Sequence, residues 1–206
     1  FISLRHPSLM NIPLEYQASA YDDIREIIKL LKSRGHSNIQ LLCHDRRDLA
    51  FAASFKSVSY IFPSDGRNFL NVLRSCKLNI TYRLHSFLPC LSFGVPAIKI
   101  SYDERGLSLV DTVGFGEWNI DLVNSTGLIE DISYRLDNLD QVDRIRRDNC
   151  QTWANLDQSM AQGFRKFACE VDEWKTMTQP SSNISNLMTL PKSDDDQSQS
   201  GRTIAL

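Results

Sequence analysis

Residues 81–103, with the sequence TYRLHSFLPCLSFGVPAIKISYD, contain a helical segment between two short apolar segments. The apolar segments, residues 78–82 and 97–101, are predicted strands, and the helix between them ends at Gly94. Strands that are apolar on both faces and joined by a helix are typical of a parallel sheet with helices on both sides. This stretch therefore favours an α/β fold.

The same alternation extends in both directions from this stretch. A helix is predicted around residues 24–31, where isoleucine and leucine recur at i, i+3, i+4 and i+7, and further helices are predicted around residues 49–53, 69–76 and 107–113. Further strands are predicted at residues 1–4, 39–43, 58–62 and 118–122. Six such repeats predict a Rossmann-like, doubly wound parallel sheet with strand order 3-2-1-4-5-6.

The C-terminal part of the chain changes character twice. Residues 129–174 have a helical pattern, which predicts helices that close the domain. After Lys175, serine, asparagine, aspartate and glutamine dominate, with little apolar content. We therefore expect one domain over residues 1–176 and a disordered tail over residues 177–206.

Composition excludes several classes of protein. The chain has 206 residues, 42% of them hydrophobic, and a formal net charge of -2, as expected for a soluble globular protein. Nothing in this charge suggests a nucleic-acid or membrane partner. No apolar run approaches the roughly 20 residues of a membrane helix, so we expect a cytoplasmic protein without a transmembrane segment.

Cysteine spacing and the first residue complete this description. The five cysteines form no CxxC pair and, with the four histidines, show no metal-ligand spacing. They are predicted to be reduced and structural, with no metal site. The chain opens inside an apolar segment without an initiator methionine, which is typical of a fragment of a longer polypeptide.

An arginine and a histidine follow each of two strands that the predicted topology makes neighbours. Arg5 and His6 follow the first strand, while Arg83 and His85 follow the fourth. In a sheet of this order, ligands bind at the carboxyl ends of the strands where the strand order reverses, between the first and fourth strands. Guanidinium groups and the start of the helix near His85 both favour an anion. The sequence thus predicts an anion site at this edge, to which Arg105, after the fifth strand, could also contribute.

Each of these residues also has a structural interpretation. Arg83 could pair with Asp103 or Asp45 and fix a loop, and His85 could be a structural residue at a helix start. The segment CHDRRD, residues 43–48, is interpreted mainly as a solvated helix cap, although it lies at the same edge. Arg105 could equally be a surface residue. Neither GxGxxG after the first strand nor GxxxxGK[ST] occurs, so ordinary dinucleotide or P-loop binding is unsupported.

Four short motifs together resemble a known family. They are ISLR at residues 2–5, RLHS at 83–86, FGVP at 93–96 and ISYD at 100–103. Over about residues 1–120, this set resembles the C-terminal half of polysaccharide pyruvyl transferases. In one respect the chain departs from the family, which often has a lysine shortly after the Tyr-Asp pair, where this sequence has Glu104 and Arg105.

The resemblance implies both a fold and a reaction. It implies the C-terminal domain of a GT-B-like enzyme, whose active site lies in a cleft between two Rossmann-like domains. The implied reaction transfers a pyruvyl group from phosphoenolpyruvate to two hydroxyls of a sugar in a polysaccharide or glycan, forming a cyclic ketal and releasing phosphate. Arg5, Arg83 and His85 fall on the family's donor-binding positions, and no cofactor is required.

The chemistry of the residues is compatible with this reaction and leaves two alternatives open. Two arginines suit a ligand with a carboxylate and a phosphate, and His85 is the first choice for the proton donor, with His6 a distant second. The first alternative is a GT-B glycosyltransferase that uses a nucleotide sugar, with Glu104 or Asp103 on the ribose. The second is a sugar-binding domain without catalytic activity.

Overall fold

The computed structural model describes residues 1–178 of the chain. The chain divides into two compact units, Phe1–Asp157 and Gln158–Leu206. The sheet and all its connecting helices belong to the first unit. The predicted domain over residues 1–176 stays a prediction, and the predicted tail lies, from residue 179 onward, outside the described residues.

Six parallel strands form the sheet in the order β3-β2-β1-β4-β5-β6. Each predicted strand is present in a shorter form: β1 Ile2–Ser3, β2 Gln40–Leu42, β3 Ser59–Ile61, β4 Asn79–Thr81, β5 Ala97–Ser101 and β6 Ile120–Asp121. The Rossmann-like, doubly wound fold and its strand order are therefore confirmed.

Helices follow the strands as the apolar spacing predicts. They are α1 Leu14–Ser33, α2 Asp48–Ala53, α3 Gly66–Ser75, α4 Leu84–Phe93, α5 Glu104–Thr112, α6 Leu128–Asp137, α7 Asp140–Asp148 and α8 Cys150–Thr178, with a short 3₁₀ helix at Pro7–Leu9. The predicted stripe on α1 is buried at Ile24, Ile27, Ile28 and Leu31. No described helix is both long and apolar enough to cross a membrane.

The first strand lies between the two halves of the sheet. Ile2 pairs with Leu41 of β2 on one side and with Ile80 of β4 on the other. Because all strands are parallel, the residues that follow β1, β2, β4 and β5 emerge at one edge. That edge contains the point where the strand order reverses.

Both faces of the sheet are buried at β4 and β5, as their apolar strands predict, whereas Ser59 and Tyr60 of the edge strand β3 are exposed. Every residue of β4 and β5 is buried. Complete burial of one isoleucine side chain contributes about 1.5–3 kcal/mol to the stability of the fold. The sheet is therefore a rigid platform for the loops at its carboxyl edge.

Candidate active site

A closed ring of buried hydrogen bonds fixes the helix that carries His85. Ser3 of β1, Asn79 of β4 and Ser86 of α4 are all 0% exposed. The Ser3 hydroxyl donates to Asn79 Oδ1 at 2.9 Å, and Asn79 Nδ2 donates to Ser86 Oγ at 2.6 Å. The two hydroxyls of Ser3 and Ser86 are 2.8 Å apart, so Ser86 closes the ring by donating to Ser3. The start of α4 is thereby tied to both central strands.

Arg83 is held by two partners at the carboxyl edge. Its Nε donates to the carbonyl of Leu4 at 2.9 Å, and its Nη2 donates to Asp48 Oδ2 at 2.5 Å. Its side chain is only 12% exposed. The remaining N–H groups, on Nη1 and Nη2, are the donors that Arg83 keeps for a ligand.

Asp48 is the fully buried partner of Arg83. Besides the guanidinium, its carboxylate accepts hydrogen bonds from the backbone N–H groups of His6 at 2.9 Å, His44 at 3.1 Å and Asp45 at 3.0 Å. One carboxylate thus joins the loops after β1 and β2 to the residue that precedes α4. Desolvation of this ion pair is offset by four hydrogen bonds to one side chain.

A small cavity at this edge collects most of the predicted residues. Its volume is about 100 Å³. Five basic side chains, contributed by strand β5 and by the segments that follow β1, β4 and β5, line it: Arg5, Arg83, His85, Lys99 and Arg105. We call it the cationic cavity. Helix geometry leaves the N–H groups of Leu84 and His85, in the first turn of α4, without an intrahelical acceptor. The cavity is therefore suited to one oxyanionic group.

Arg5 and His6 differ in where their side chains go. Arg5 lines the cationic cavity, and its Nε and Nη2 both donate to the carbonyl of Leu9, at 3.2 and 3.0 Å. His6 caps the 3₁₀ helix, with Nδ1 accepting from the backbone N–H of Ser8 at 3.2 Å, and its ring contacts Phe51 edge-on. His6 is not among the residues that line the cavity, so its contacts are those of a structural residue.

Arg105 lies at the mouth of the cavity rather than inside it. Its side chain is 77% exposed and lies 3.8 Å from Asp103 Oδ2. Asp103 in turn caps α5 by accepting a hydrogen bond from the backbone N–H of Gly106 at 2.7 Å. A surface ion pair of this kind contributes little to stability, so Arg105 can turn toward a ligand at low cost.

A second cavity lies on the other side of Arg83 and His85. It has a volume of about 400 Å³, and it is lined by Phe62 and Phe69 in addition to these two residues. We call it the aromatic cavity. His44 also lines it and packs edge-on against Phe69, with ring centroids 4.7 Å apart. Burial, followed by the charge of Arg83, lowers the pKa of His44 to about 3, so its ring is neutral at pH 7.

Sequence reasoning missed three residues of this site. The interpretation of residues 43–48 as a solvated cap is wrong for Asp48, which is 0% exposed, and the suggested pairing of Arg83 with Asp103 or Asp45 is wrong because Asp48 is its partner. His44 belongs to the same segment. The third is Lys99, which is 1% exposed in β5. A charged residue within an apolar strand was the available signal for it.

Two comparisons with known proteins found similarities. The model of the polysaccharide pyruvyl transferase family matches residues 5–104, just under half of the chain. Amylovoran biosynthesis protein AmsJ of Erwinia amylovora is 29% identical over 75 residues, which are 35% of this chain and 18% of that protein. The chain thus spans a small part of the length of this relative. No solved structure gives a significant match.

Proposed function

We propose that this chain belongs to the polysaccharide pyruvyl transferase family, whose model matches residues 5–104, and that it binds phosphoenolpyruvate in the cationic cavity and transfers its pyruvyl group to a sugar. The observation that carries the proposal is the convergence of Arg5, Arg83, Lys99 and Arg105 on one small cavity. Phosphoenolpyruvate presents a phosphate and a carboxylate, and guanidinium groups bind both in a bidentate manner.

The two cavities suggest places for the two reactants. They share Arg83 and His85, so a donor in the cationic cavity and an acceptor in the aromatic cavity would meet at these side chains. The apolar faces of Phe62 and Phe69 suit the C–H face of a sugar ring, and one edge of the acceptor would then face His85. The proposal includes the GT-B arrangement, in which a second domain covers this edge of the sheet.

The proposed reaction balances as follows. One sugar hydroxyl attacks C2 of phosphoenolpyruvate while a proton reaches C3 and converts the methylene into a methyl group. A second hydroxyl of the same sugar then attacks C2, and the C2–O bond to phosphate breaks. The two sugar hydroxyls lose two protons in total, and the products gain two: one on the new methyl group and one on the released phosphate. His85, which is exposed and lines both cavities, is the proposed donor of the proton to C3.

Turnover with phosphoenolpyruvate and a sugar acceptor tests the proposal. We expect release of phosphate together with a new methyl singlet in the proton NMR spectrum of the sugar product. His85→Gln keeps a hydrogen bond but cannot deliver a proton, so kcat should fall by about a hundredfold or more, with a smaller change in KM.

Other kinetic or binding results would change the role of His85 or the proposed function itself. A raised KM with unchanged kcat would make His85 a binding residue and place the proton donor elsewhere. If the protein is stabilised by a nucleotide sugar and not by phosphoenolpyruvate, the glycosyltransferase alternative replaces the proposal. Stabilisation by sugars with no turnover of either donor favours the sugar-binding domain.

A further inference from the structure

Lys99 is a buried lysine that lines the cationic cavity and to which the proposed reaction gives no separate role. Its Nζ donates to the carbonyl of Ile100 at 2.6 Å and is 3.4 Å from that of Tyr82, and it lies 5.8 Å from the centroid of the Tyr102 ring. Both hydrogen-bond partners are neutral. No carboxylate within residues 1–178 lies within ion-pair distance of Lys99. A protonated Lys99 therefore has no ion-pair partner among the described residues.

Most of the other charged or titratable side chains in the cavity that Lys99 lines are basic. They are Arg5 in the loop after β1, Arg83 and His85 at the start of α4, and Arg105 at the start of α5. Asp103 is the carboxylate that lines the same cavity, and its own hydrogen bond is to the N–H of Gly106. Burial lowers the pKa of Lys99 to about 7, and Asp103 opposes this shift without abolishing it.

We propose that Lys99 is a ligand for a divalent oxyanion in the cationic cavity and that it takes up one proton when the anion binds. The inference rests on the proposed function, in which the phosphate of phosphoenolpyruvate is that oxyanion. The proton comes from solvent and goes to the amine Nζ, which then donates to the anion while Ile100 and Tyr82 keep their hydrogen bonds.

The direction of the pH dependence follows from linkage. Below pH of about 6, Lys99 is already protonated and binding takes up no proton there. Above pH of about 7 the free protein holds Lys99 neutral, and a bound anion raises its pKa, so the affinity falls by up to about tenfold for each pH unit in this window. The arginines that line the cavity stay charged throughout this window.

Sulfate is the appropriate probe because it resembles phosphate but does not titrate in this range. Calorimetric titration at about pH 8.5 in two buffers of different ionisation enthalpy gives the number of protons taken up. We expect close to one proton per sulfate for the wild-type protein and for His85→Gln, and almost none for Lys99→Met. At about pH 6, Lys99→Met should bind sulfate about tenfold or more weakly, since it lacks a charge-assisted hydrogen bond.

Two further measurements keep the inference falsifiable. Lys56→Met removes an exposed lysine and should leave both the affinity and the proton uptake unchanged. In the wild-type protein, one lysine Cε resonance should titrate near pH 7, well below the range of ordinary lysines, and it should titrate at higher pH with sulfate than without it. This spectrum tests the inference even if Lys99→Met does not fold.

The outcomes separate the inference from the proposed function. Sulfate binding without proton uptake at about pH 8.5, or a Lys99 resonance that sulfate does not move, overturns the inference alone. Proton uptake without release of phosphate from phosphoenolpyruvate and an acceptor overturns the proposed function alone. If the wild-type protein binds neither sulfate nor phosphoenolpyruvate, both are wrong.

Discussion

Arg83 has two hydrogen-bond partners within the fold, and the rest of its guanidinium group is available to the proposed ligand. Its Nε and one Nη2 hydrogen bond to Leu4 and Asp48, which leaves the Nη1 side of the planar group for a ligand. Lysine has one nitrogen on a flexible stem, so it cannot keep the bonds to Leu4 and Asp48 and also present a planar pair of donors to a ligand. A lysine at this position would therefore keep the positive charge but lose hydrogen bonds that the guanidinium group can make.

Arg83→Lys should weaken the binding of phosphoenolpyruvate by about ten- to hundredfold, which corresponds to the loss of one charge-assisted hydrogen bond. Titration calorimetry measures the affinity, and circular dichroism checks the fold. Arg47→Lys is the matched control, since Arg47 is an exposed arginine paired with Asp45. Equal affinities for Arg83→Lys and the wild-type protein would remove Arg83 from the site.

His44 gives the molecule a specific sensitivity to acid. Its pKa in the folded protein is lowered to about 3, chiefly by burial, and Nε2 has no hydrogen-bond partner within the described part of the chain. In the unfolded chain the pKa is about 6.5. The unfolded state therefore binds the proton more readily between these two values. Stability from the neutral ring is present above pH 6.5 and is lost as the pH falls toward 3.

His44→Phe should flatten this dependence, because phenylalanine fills the same space against Phe69 and does not titrate. Urea unfolding at several pH values measures how the free energy of unfolding depends on pH. We expect the wild-type slope between about pH 6.5 and 4 to exceed that of His44→Phe by at most about 1.4 kcal/mol per pH unit. The exposed His36 offers a control, His36→Phe, which should keep the wild-type slope. Parallel curves for the wild-type protein and His44→Phe would contradict this account.

At the scale of elements, α4 is positioned from its buried side. Ser86 faces the ring of hydrogen bonds with Ser3 and Asn79, while the preceding residue, His85, is exposed at the cavities. Adjacent residues in the first turn point in different directions, so the buried serine fixes the direction in which the histidine points.

Ser86→Ala should destabilise the fold by about 1–3 kcal/mol, because it leaves Asn79 Nδ2 and the Ser3 hydroxyl buried with fewer partners. Chemical denaturation gives this value. The same helix offers a control in Ser92→Ala, since Ser92 is exposed and its hydroxyl donates only to the carbonyl of Leu88. If Ser92→Ala lost as much stability as Ser86→Ala, the loss would come from helix propensity and not from the hydrogen-bonded ring.

The sequence predicts elements better than it predicts contacts. Apolar runs were sufficient to predict all six strands, even β3, which is mostly exposed, and the alternation of strands with helices was sufficient to predict their order. Asp48, the partner of Arg83, shows where prediction of contacts from sequence fails. Asp48 has a typical helix-start position, and nothing local distinguishes a cap exposed to solvent from a carboxylate buried under a neighbouring loop.

Lys99 shows a second limit of the same kind. Its position within an apolar strand marks it as unusual, but its role depends on which loops converge over the end of β5. Those loops follow β1 and β4, and their distance from Lys99 is set by the strand order rather than by nearby sequence. The placement of Arg5, Arg83 and His85 at one cavity could be inferred from the topology, whereas the buried lysine beside them could not.

At the scale of the whole molecule, Asp48 links the two halves of the doubly wound sheet. Its hydrogen bonds reach the loops after β1 and β2 in one half and Arg83, which precedes α4, in the other. The halves also meet through the two-residue pairing of β1 with β4, the hydrogen-bonded ring of Ser3, Asn79 and Ser86, and the hydrogen bond from Arg83 to Leu4. The carboxylate therefore closes the junction at the edge where the proposed ligand binds.

Asp48→Ala should destabilise the protein by about 3–5 kcal/mol, because it leaves the buried guanidinium of Arg83 without its counter-ion and three N–H groups without an acceptor. Asp48→Asn keeps an oxygen for some of these donors and should cost less. Asp45→Ala provides the control, since Asp45 is in the same loop but pairs with the exposed Arg47, and its loss should be much smaller. Urea unfolding measures all three variants, and sulfate titration of the folded fraction shows whether Arg83 still binds. If Asp48→Ala and Asp45→Ala lose the same stability, Asp48 does not link the halves. If Asp48→Ala is destabilised yet binds sulfate as the wild-type protein does, Asp48 stabilises the fold but does not orient Arg83 toward the ligand.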